Sequence, residues 1–230
     1  MEQPSSQYSS TGMNDGPIFI TGTGTNVGKT IASVIIVNAL EAQYWKPVQA
    51  GIDKKTDSQW IKKLSIEKTV IHPEAYKFKL AASPHIASRQ EGSRIDLDKI
   101  VSQYHQLKDP GRRMVIEGAG GLLVPLNDDD KVVDLIARLN ARVILVSRNY
   151  LGSINHSLLT AQVCRHYELN VAGWIFNDEY MEYQDEISQW SGYPVIGKIP
   201  RLEKISRKTL FDQSSLLKHD LLRSLEPGNT

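Results

Sequence analysis

Ile18-Phe19-Ile20-Thr21-Gly22-Thr23-Gly24-Thr25-Asn26-Val27-Gly28-Lys29-Thr30 runs directly into the apolar stretch Ile31 to Leu40. A β-branched and aromatic run gives way to a loop of Gly and Thr, and Gly-Lys-Thr then opens the apolar segment. That order predicts strand, phosphate loop, helix. The loop amides and the helix N-terminus together form an anion site. Lys29 is placed to reach β and γ phosphates, and the Thr30 hydroxyl to sit on Mg²⁺. The stretch therefore predicts binding of a nucleoside triphosphate. The usual spacing, G-x-x-x-x-G-K-[ST], is not met. Thr23 stands where the first Gly belongs, and Gly22 comes one residue too early. The loop is a variant.

Outward from this loop the chain alternates strand and helix. Strands are expected at Ile18–Thr21, Tyr44–Val48, Met114–Glu117, Arg142–Ser147, Val171–Phe176 and Val195–Ile199. Helices are expected at Lys29–Glu41, Thr56–Leu64, from Ser83-Pro84-His85 onward, and at Asp96–Leu107, Val132–Leu139, Ser153–Tyr167, Met181–Trp190 and Gln213–Ser224. Pro84 suits a first helical turn, and Thr56 or Asp57 suits an N-cap. Arg142–Ser147 is a continuous apolar run, the pattern of a strand buried on both faces. The alternation predicts an α/β fold, a mostly parallel sheet flanked by helices. Ligands of such sheets bind at the carboxyl ends of the strands.

Composition narrows the function classes. The chain has 230 residues, 40% of them hydrophobic, and a net charge of +1. Such a length suits one domain, placed at 17–230. The near-neutral balance gives no electrostatic case for nucleic acid or a membrane surface. No stretch approaches the ~20 apolar residues of a membrane span. The single Cys164 excludes an intrachain disulfide framework and fits a reducing cytoplasm. It falls in an apolar-periodic segment and reads as a buried, inert thiol. Residues 1–16 are Ser- and Gln-rich without an apolar core, so a disordered tail rather than a secretory signal is expected.

Further chemistry collects at the strand ends: Lys46-Pro47-Val48-Gln49-Ala50-Gly51, Glu117-Gly118-Ala119-Gly120-Gly121, Leu151-Gly152-Ser153-Ile154-Asn155-His156, and Asn177-Asp178. Together with the phosphate loop, these motifs resemble, in order, the dethiobiotin synthetase family, whose loop has the same extra residue. The resemblance continues through Ser83-Pro84-His85-Ile86, Gln90-Glu91-Gly92, Leu159–Val163, Ala172-Gly173-Trp174 and Gly197-Lys198-Ile199-Pro200. It covers about residues 17 to 202. Departures fall at Asn26, where an acidic residue is common, at Ala50, where Ser or Thr is common, and at Tyr150, where Lys is common. The spacing from Lys29 to Lys46 is also short by about a helical turn.

The resemblance implies an ATP- and Mg²⁺-dependent enzyme. It would join 7,8-diaminopelargonate to carbon dioxide and close the ring of dethiobiotin. It implies catalytic roles for Lys29 and Lys46, with Lys46 holding carbamate and γ-phosphate. Mg²⁺ would lie on Thr30, Glu117 and Asp57, with Asp53 a rival to Asp57 and helix capping a competing role for Asp57. Two carboxylates, a hydroxyl and phosphate oxygens suit this hard cation. ATP would also touch Asn26, Val27, Gly28, Ile31, Gly118, Ala119 and Gly120. Its base would meet Asn177 and Asp178, with Pro200, Arg201 and Leu202 as the other wall. The substrate would meet Thr25, Ala50 and the loop Gly152, Ser153, Ile154 and Asn155, supplied across a homodimer interface. Capping of the following helix explains Ser153 and Asn155 as well. His85 and His156 read as structural, and Asp128-Asp129-Asp130 as a solvated turn.

Two other functions share parts of this pattern. A partitioning or scaffold ATPase, acting as a nucleotide switch, usually carries a second Lys inside the loop, and positions 23 to 27 have none. An ATP-dependent amidotransferase would need a glutaminase partner or an extra domain, and 230 residues leave no room for such a domain.

Overall fold

The computed structural model describes residues 16–53 and 55–226. The tail expected to be disordered, apart from Gly16, lies outside the described residues. The strands are β1 (Ile18–Gly22), β2 (Gln43–Trp45), β3 (Val48–Ala50), β4 (Tyr76–Phe78), β5 (Met114–Glu117), β6 (Arg142–Arg148), β7 (Val171–Asn177) and β8 (Val195–Ile199). The helices are α1 (Lys29–Leu40), α2 (Asp57–Leu64), α3 (Pro84–Gln90), α4 (Leu97–Leu107), α5 (Val132–Arg138), α6 (Ser153–His166), α7 (Gln184–Ser191) and α8 (Arg207–Ser224).

Six strands form one sheet in the order β2-β5-β1-β6-β7-β8, and every pairing in it is parallel. Both faces are covered, so the strands alternate between two cores. Phe19, Trp45, Ile116, Leu145 and Trp174 point to one side, where they meet residues of α4, α5 and α7. Ile18, Ile20, Tyr44, Val115, Ile144 and Ile175 point to the other, against α1, α2 and α8. This period of two on strands that read as unbroken apolar runs is what burial on both faces requires. The motif-bearing strand ends therefore share one edge of the sheet.

Three expectations needed correction. The strand expected at Tyr44–Val48 breaks at Lys46-Pro47, because Pro47 has no N–H for the ladder. The chain turns there, and β3 pairs instead with β4 in a separate two-stranded sheet. The β4 strand has three residues, too few for a periodic signal. The helix expected from Met181 starts only at Gln184. Met181 and Glu182 have φ of 58° and 47°, the left-handed region that a helix cannot include. The last helix starts at Arg207 rather than Gln213. Ser206 accepts from the Thr209 N–H and caps it.

Candidate active site

The phosphate loop leaves β1 at Gly22 and enters α1 at Lys29. Gly22 explains the variant spacing. A Cβ there would lie 2.6 Å from Val27 Cγ2 and 3.0 Å from the Val146 carbonyl, so no side chain fits. Gly28 has φ 98° and carries the N-cap of α1. A side chain on it would meet Asn177 Nδ2 at 2.1 Å. Asn177 in turn donates to the Val27 carbonyl at 3.2 Å and ties the end of β7 to the loop. Asn26, with φ 60°, takes the left-handed conformation that Asn tolerates.

Four side chains from four segments meet beside the loop. The Thr30 hydroxyl lies 2.6 Å from Asp57 Oδ1 and 3.0 Å from Glu117 Oε1. Its single proton serves only one of them. Lys46 Nζ donates to Asp57 Oδ2 at 2.7 Å and to Glu117 Oε1 at 3.3 Å. Tyr44 donates its hydroxyl to Glu117 Oε2 at 2.9 Å. Lys29 Nζ folds back onto the Gly24 carbonyl at 2.7 Å. Glu117 is 1% exposed and Lys46 5%, so these charges have no water to screen them and must satisfy one another.

The electrostatics follow from that burial. Burial pushes the Lys29 ammonium down to about 8; Glu117 opposes this, and Lys46 adds to it. Burial alone would lower Lys46 as well, but Glu117 and Asp57 outweigh it and hold the ammonium above its usual range. Burial would raise the Asp57 carboxyl, yet Lys46 and Thr30 keep it below the usual carboxylate range. Burial, reinforced by Glu117, lifts Tyr44 well above an ordinary phenol, so it remains a donor.

At α2 the capping is done by the residue before Asp57. Thr56 is the N-cap, with a reciprocal pair to Gln59, which leaves the Asp57 carboxylate free to face Thr30. Asp53 is exposed and does not line the cleft. The donor set fits Mg²⁺. Two carboxylates and a hydroxyl converge, and the ammonium between the acids marks a place where a cation is already accommodated. Among the described residues no cluster of three or more His, Cys, Asp or Glu side chains has metal-holding geometry. A divalent cation here would take its remaining ligands from phosphate and water.

A cleft of about 880 Å³ opens over this cluster. Thr25, Asn26, Gly28, Ile31, Ala50, Ala119 and Gly120 line it with the charged residues. Val27 is buried below, and Gly118 donates its N–H to the Ile20 carbonyl. The other expected residues stand apart from the cleft lining. Asp178 pairs with Arg148 at 3.1 Å, and Pro200, Arg201 and Leu202 follow β8 beside it. Gly152, not Ser153 or Asn155, is the N-cap of α6. The Ser153 hydroxyl is buried; it accepts from the Tyr150 N–H and meets the Tyr183 hydroxyl at 2.6 Å. These contacts hold the Ser153 side chain inside the loop. Asn155 is exposed, and Leu151 is 86% exposed.

His85 meets Ser83 at 3.0 Å and His156 meets Tyr150 at 2.6 Å, both structural contacts. Asp128 and Asp129 are exposed partners of Arg89 and Arg94. Burial pushes the Cys164 thiol up to about 12, which leaves it inert. Sequence reasoning missed Tyr44 and Trp60. Tyr44 had a signal: it lies two residues before Lys46, hence on the same face of an extended segment. Trp60 lines the cleft one turn after Asp57, with Lys55 and Lys63 over its ring at 5.2 and 5.3 Å.

A parallel sheet with a phosphate loop at its carboxyl edge, and acids and lysines around it, defines a nucleoside-triphosphate-binding α/β enzyme. An AAA domain family model matches residues 17–209. The ATP-dependent dethiobiotin synthetase of Cytophaga hutchinsonii is 49% identical over 84% of this chain and 92% of its own length. That of Agrobacterium fabrum is 39% identical over 83% and 89%. Among solved structures, a ParA family ATPase from Chlorobium tepidum covers 92% of this chain and 96% of its own at TM-score 0.56 and 14% identity. The cell division ATPase MinD of Pyrococcus furiosus covers 90% and 99% at TM-score 0.56 and 12% identity. These likenesses to partitioning and division ATPases are likenesses of fold. The chain belongs to the ATP-dependent dethiobiotin synthetases, ligases of biotin biosynthesis.

Proposed function

We propose that this chain, acting through residues 17–230, uses ATP and Mg²⁺ to carboxylate 7,8-diaminopelargonate and close the ring of dethiobiotin. The observation that carries the reading is the meeting of Lys46, Asp57, Glu117 and Thr30 beside Lys29. One substrate amine adds to carbon dioxide and loses a proton, giving a carbamate. A carbamate oxygen takes the γ-phosphoryl group and ADP leaves. The neighbouring amine attacks the carbonyl carbon of that mixed anhydride, phosphate departs with the C–O electrons, and a second proton is lost.

Lys29 and the loop amides hold the phosphates and take up charge in transfer. Lys46 spans carbamate and γ-phosphate, two anions that must approach each other. Thr30, Asp57 and Glu117 would hold Mg²⁺, which would neutralise charge on phosphate oxygens. Lys46 stands between both acids in the chain alone, and its ammonium would turn to the carbamate with Mg²⁺ on those acids. Asn177, Asp178 and Pro200–Leu202 border the base. Ala50 contributes only a methyl to the cleft wall.

The outward face of Gly152 to Asn155 serves the neighbouring subunit of a homodimer. In support, these residues do not line their own chain's cleft, and Leu151 beside them is 86% exposed. The buried Cys164 fits a reducing cytoplasm, and among the described residues no helix is long and apolar enough to cross a membrane.

ADP release from ATP and Mg²⁺, measured with and without bicarbonate and 7,8-diaminopelargonate, tests the reading. Release that requires both supports it. Release indifferent to both would contradict it.

A further inference from the structure

At the amino ends of the strands, opposite the ATP cleft, a groove of about 490 Å³ is bounded by four cations and one acid. Lys68 follows α2, Arg112 and Arg113 precede β5, and Lys218 projects from α8; Glu41, at the end of α1, is the acid. Glu41 is paired with Lys68. Lys68 first, with Lys218 and Arg112 adding, holds its carboxyl below the usual carboxylate range, so the one acid stays ionised within a positive field. Among the described residues Arg112, Arg113 and Lys218 make no ion pair. Elsewhere Arg89, Arg94, Arg138, Arg148 and Arg207 each meet a carboxylate. Like charges drawn together from separate segments repel one another, and on a chain of net charge +1 composition does not force such a cluster. Leu40, Ile66 and Leu222 add an aliphatic wall.

We propose that this groove is a second ligand site, for a small phosphate monoester carrying an apolar body. The forked guanidinium groups of Arg112 and Arg113 match phosphate oxygens. The dianion at neutral pH answers the surplus of positive charge. The aliphatic wall takes the body of the ligand, and the volume lies within the range of small-molecule sites. The site shares no residue with the ATP cleft, so it does not depend on the proposed carboxylation.

Calorimetry with hexyl phosphate, hexanoate and hexanol on the full chain tests it. Three proteins are compared: the wild type, the double variant Arg113→Ala/Lys218→Ala, and Lys29→Ala. Arg113 and Lys218 are exposed, so their truncation leaves the fold and dethiobiotin formation intact. Hexyl phosphate is expected to bind the wild type and Lys29→Ala alike, and the double variant at least roughly tenfold more weakly. On the wild type, hexanoate and hexanol should bind at least about tenfold more weakly than hexyl phosphate. Equal binding by the double variant would overturn the proposal. So would binding that is lost only in Lys29→Ala, which would place the probe on the phosphate loop. Hexanol or hexanoate matching hexyl phosphate would overturn the assigned ligand class.

Discussion

The two halves of the ligand-facing edge hold their polar side chains in different ways. At the ends of β1, β2 and β5, buried Lys46 and Glu117 and half-buried Thr30 and Asp57 hold one another in contact. At the ends of β6, β7 and β8, Ser153 and Asn177 are tied to the protein's own loops, Asp178 pairs with an arginine, and none lines the cleft. The first half is organised for charge, and its parts are complete within one chain. The second presents backbone and loop surface, which the proposed function assigns to the base and to a neighbouring subunit.

The largest effect expected from breaking the first half comes from Lys29→Ala. Turnover at saturating ATP should fall by about a hundredfold or more, the scale of ~3 kcal/mol for a lost electrostatic contact to developing charge. ADP release measures it, and near-normal turnover would remove the phosphate loop from the chemistry. Tyr44→Phe is gentler. It strips one donor from a buried carboxylate, a loss of about 1–3 kcal/mol, read as a lower urea midpoint with an unchanged slope. The Mg²⁺ concentration for half-maximal activity should shift too. If neither moves, Tyr44 does not support Glu117.

pH sharpens the comparison further. Lys29 is charged below about 8 and neutral above it in the free enzyme. Hence kcat/KM for ATP should decline as pH rises through about 8, because that ratio reports the free enzyme. Phosphates that bind the ammonium hold its proton, so kcat should persist to higher pH. For stability the sign is opposite. Folding depresses Lys29 from 10.5 to about 8, so it contributes a penalty that is full below about 8 and fades as pH climbs toward 10.5. A kcat/KM profile flat from pH 7 to 10 would contradict the role of burial at Lys29.

The smallest effects belong to the second half. Ser153→Ala should cost about 1 kcal/mol in stability through its lost hydrogen bonds. Exposed Asn155→Ala should leave stability unchanged and raise KM for 7,8-diaminopelargonate. Sedimentation of that variant and the wild type tests the shared interface, and a fully active monomer would refute it.

This contrast also explains what was legible in the sequence. Lys29 and Thr30 could be placed from spacing alone, because a phosphate loop is a local structure. Glu117 was legible as a charge closing an apolar strand, Met114 to Ile116, where it demands a partner. Placing Asp57, rather than Asp53, beside Thr30 needed the fold, since Thr56 had first to be seen capping α2. The break at Pro47 had a local signal in its missing N–H, but the pairing of β3 with the three-residue β4 is a tertiary contact that no local pattern encodes. The inward turn of Ser153 depends on Tyr183, distant in sequence. The late start of α7 rests on left-handed residues without a glycine to mark them.

The role proposed for Lys46 would separate a carboxylating synthetase from a nucleotide switch, which has no carbamate to hold. The most direct measurement is the rate at which Lys46→Ala forms dethiobiotin from 7,8-diaminopelargonate, bicarbonate, ATP and Mg²⁺, followed by mass spectrometry alongside calorimetric ATP binding. ATP binding should be largely retained, since Lys29 and the loop amides remain, while product formation falls by about a hundredfold or more. Product formed at close to the wild-type rate would show that Lys46 does not bridge carbamate and phosphate, and the central claim would fall.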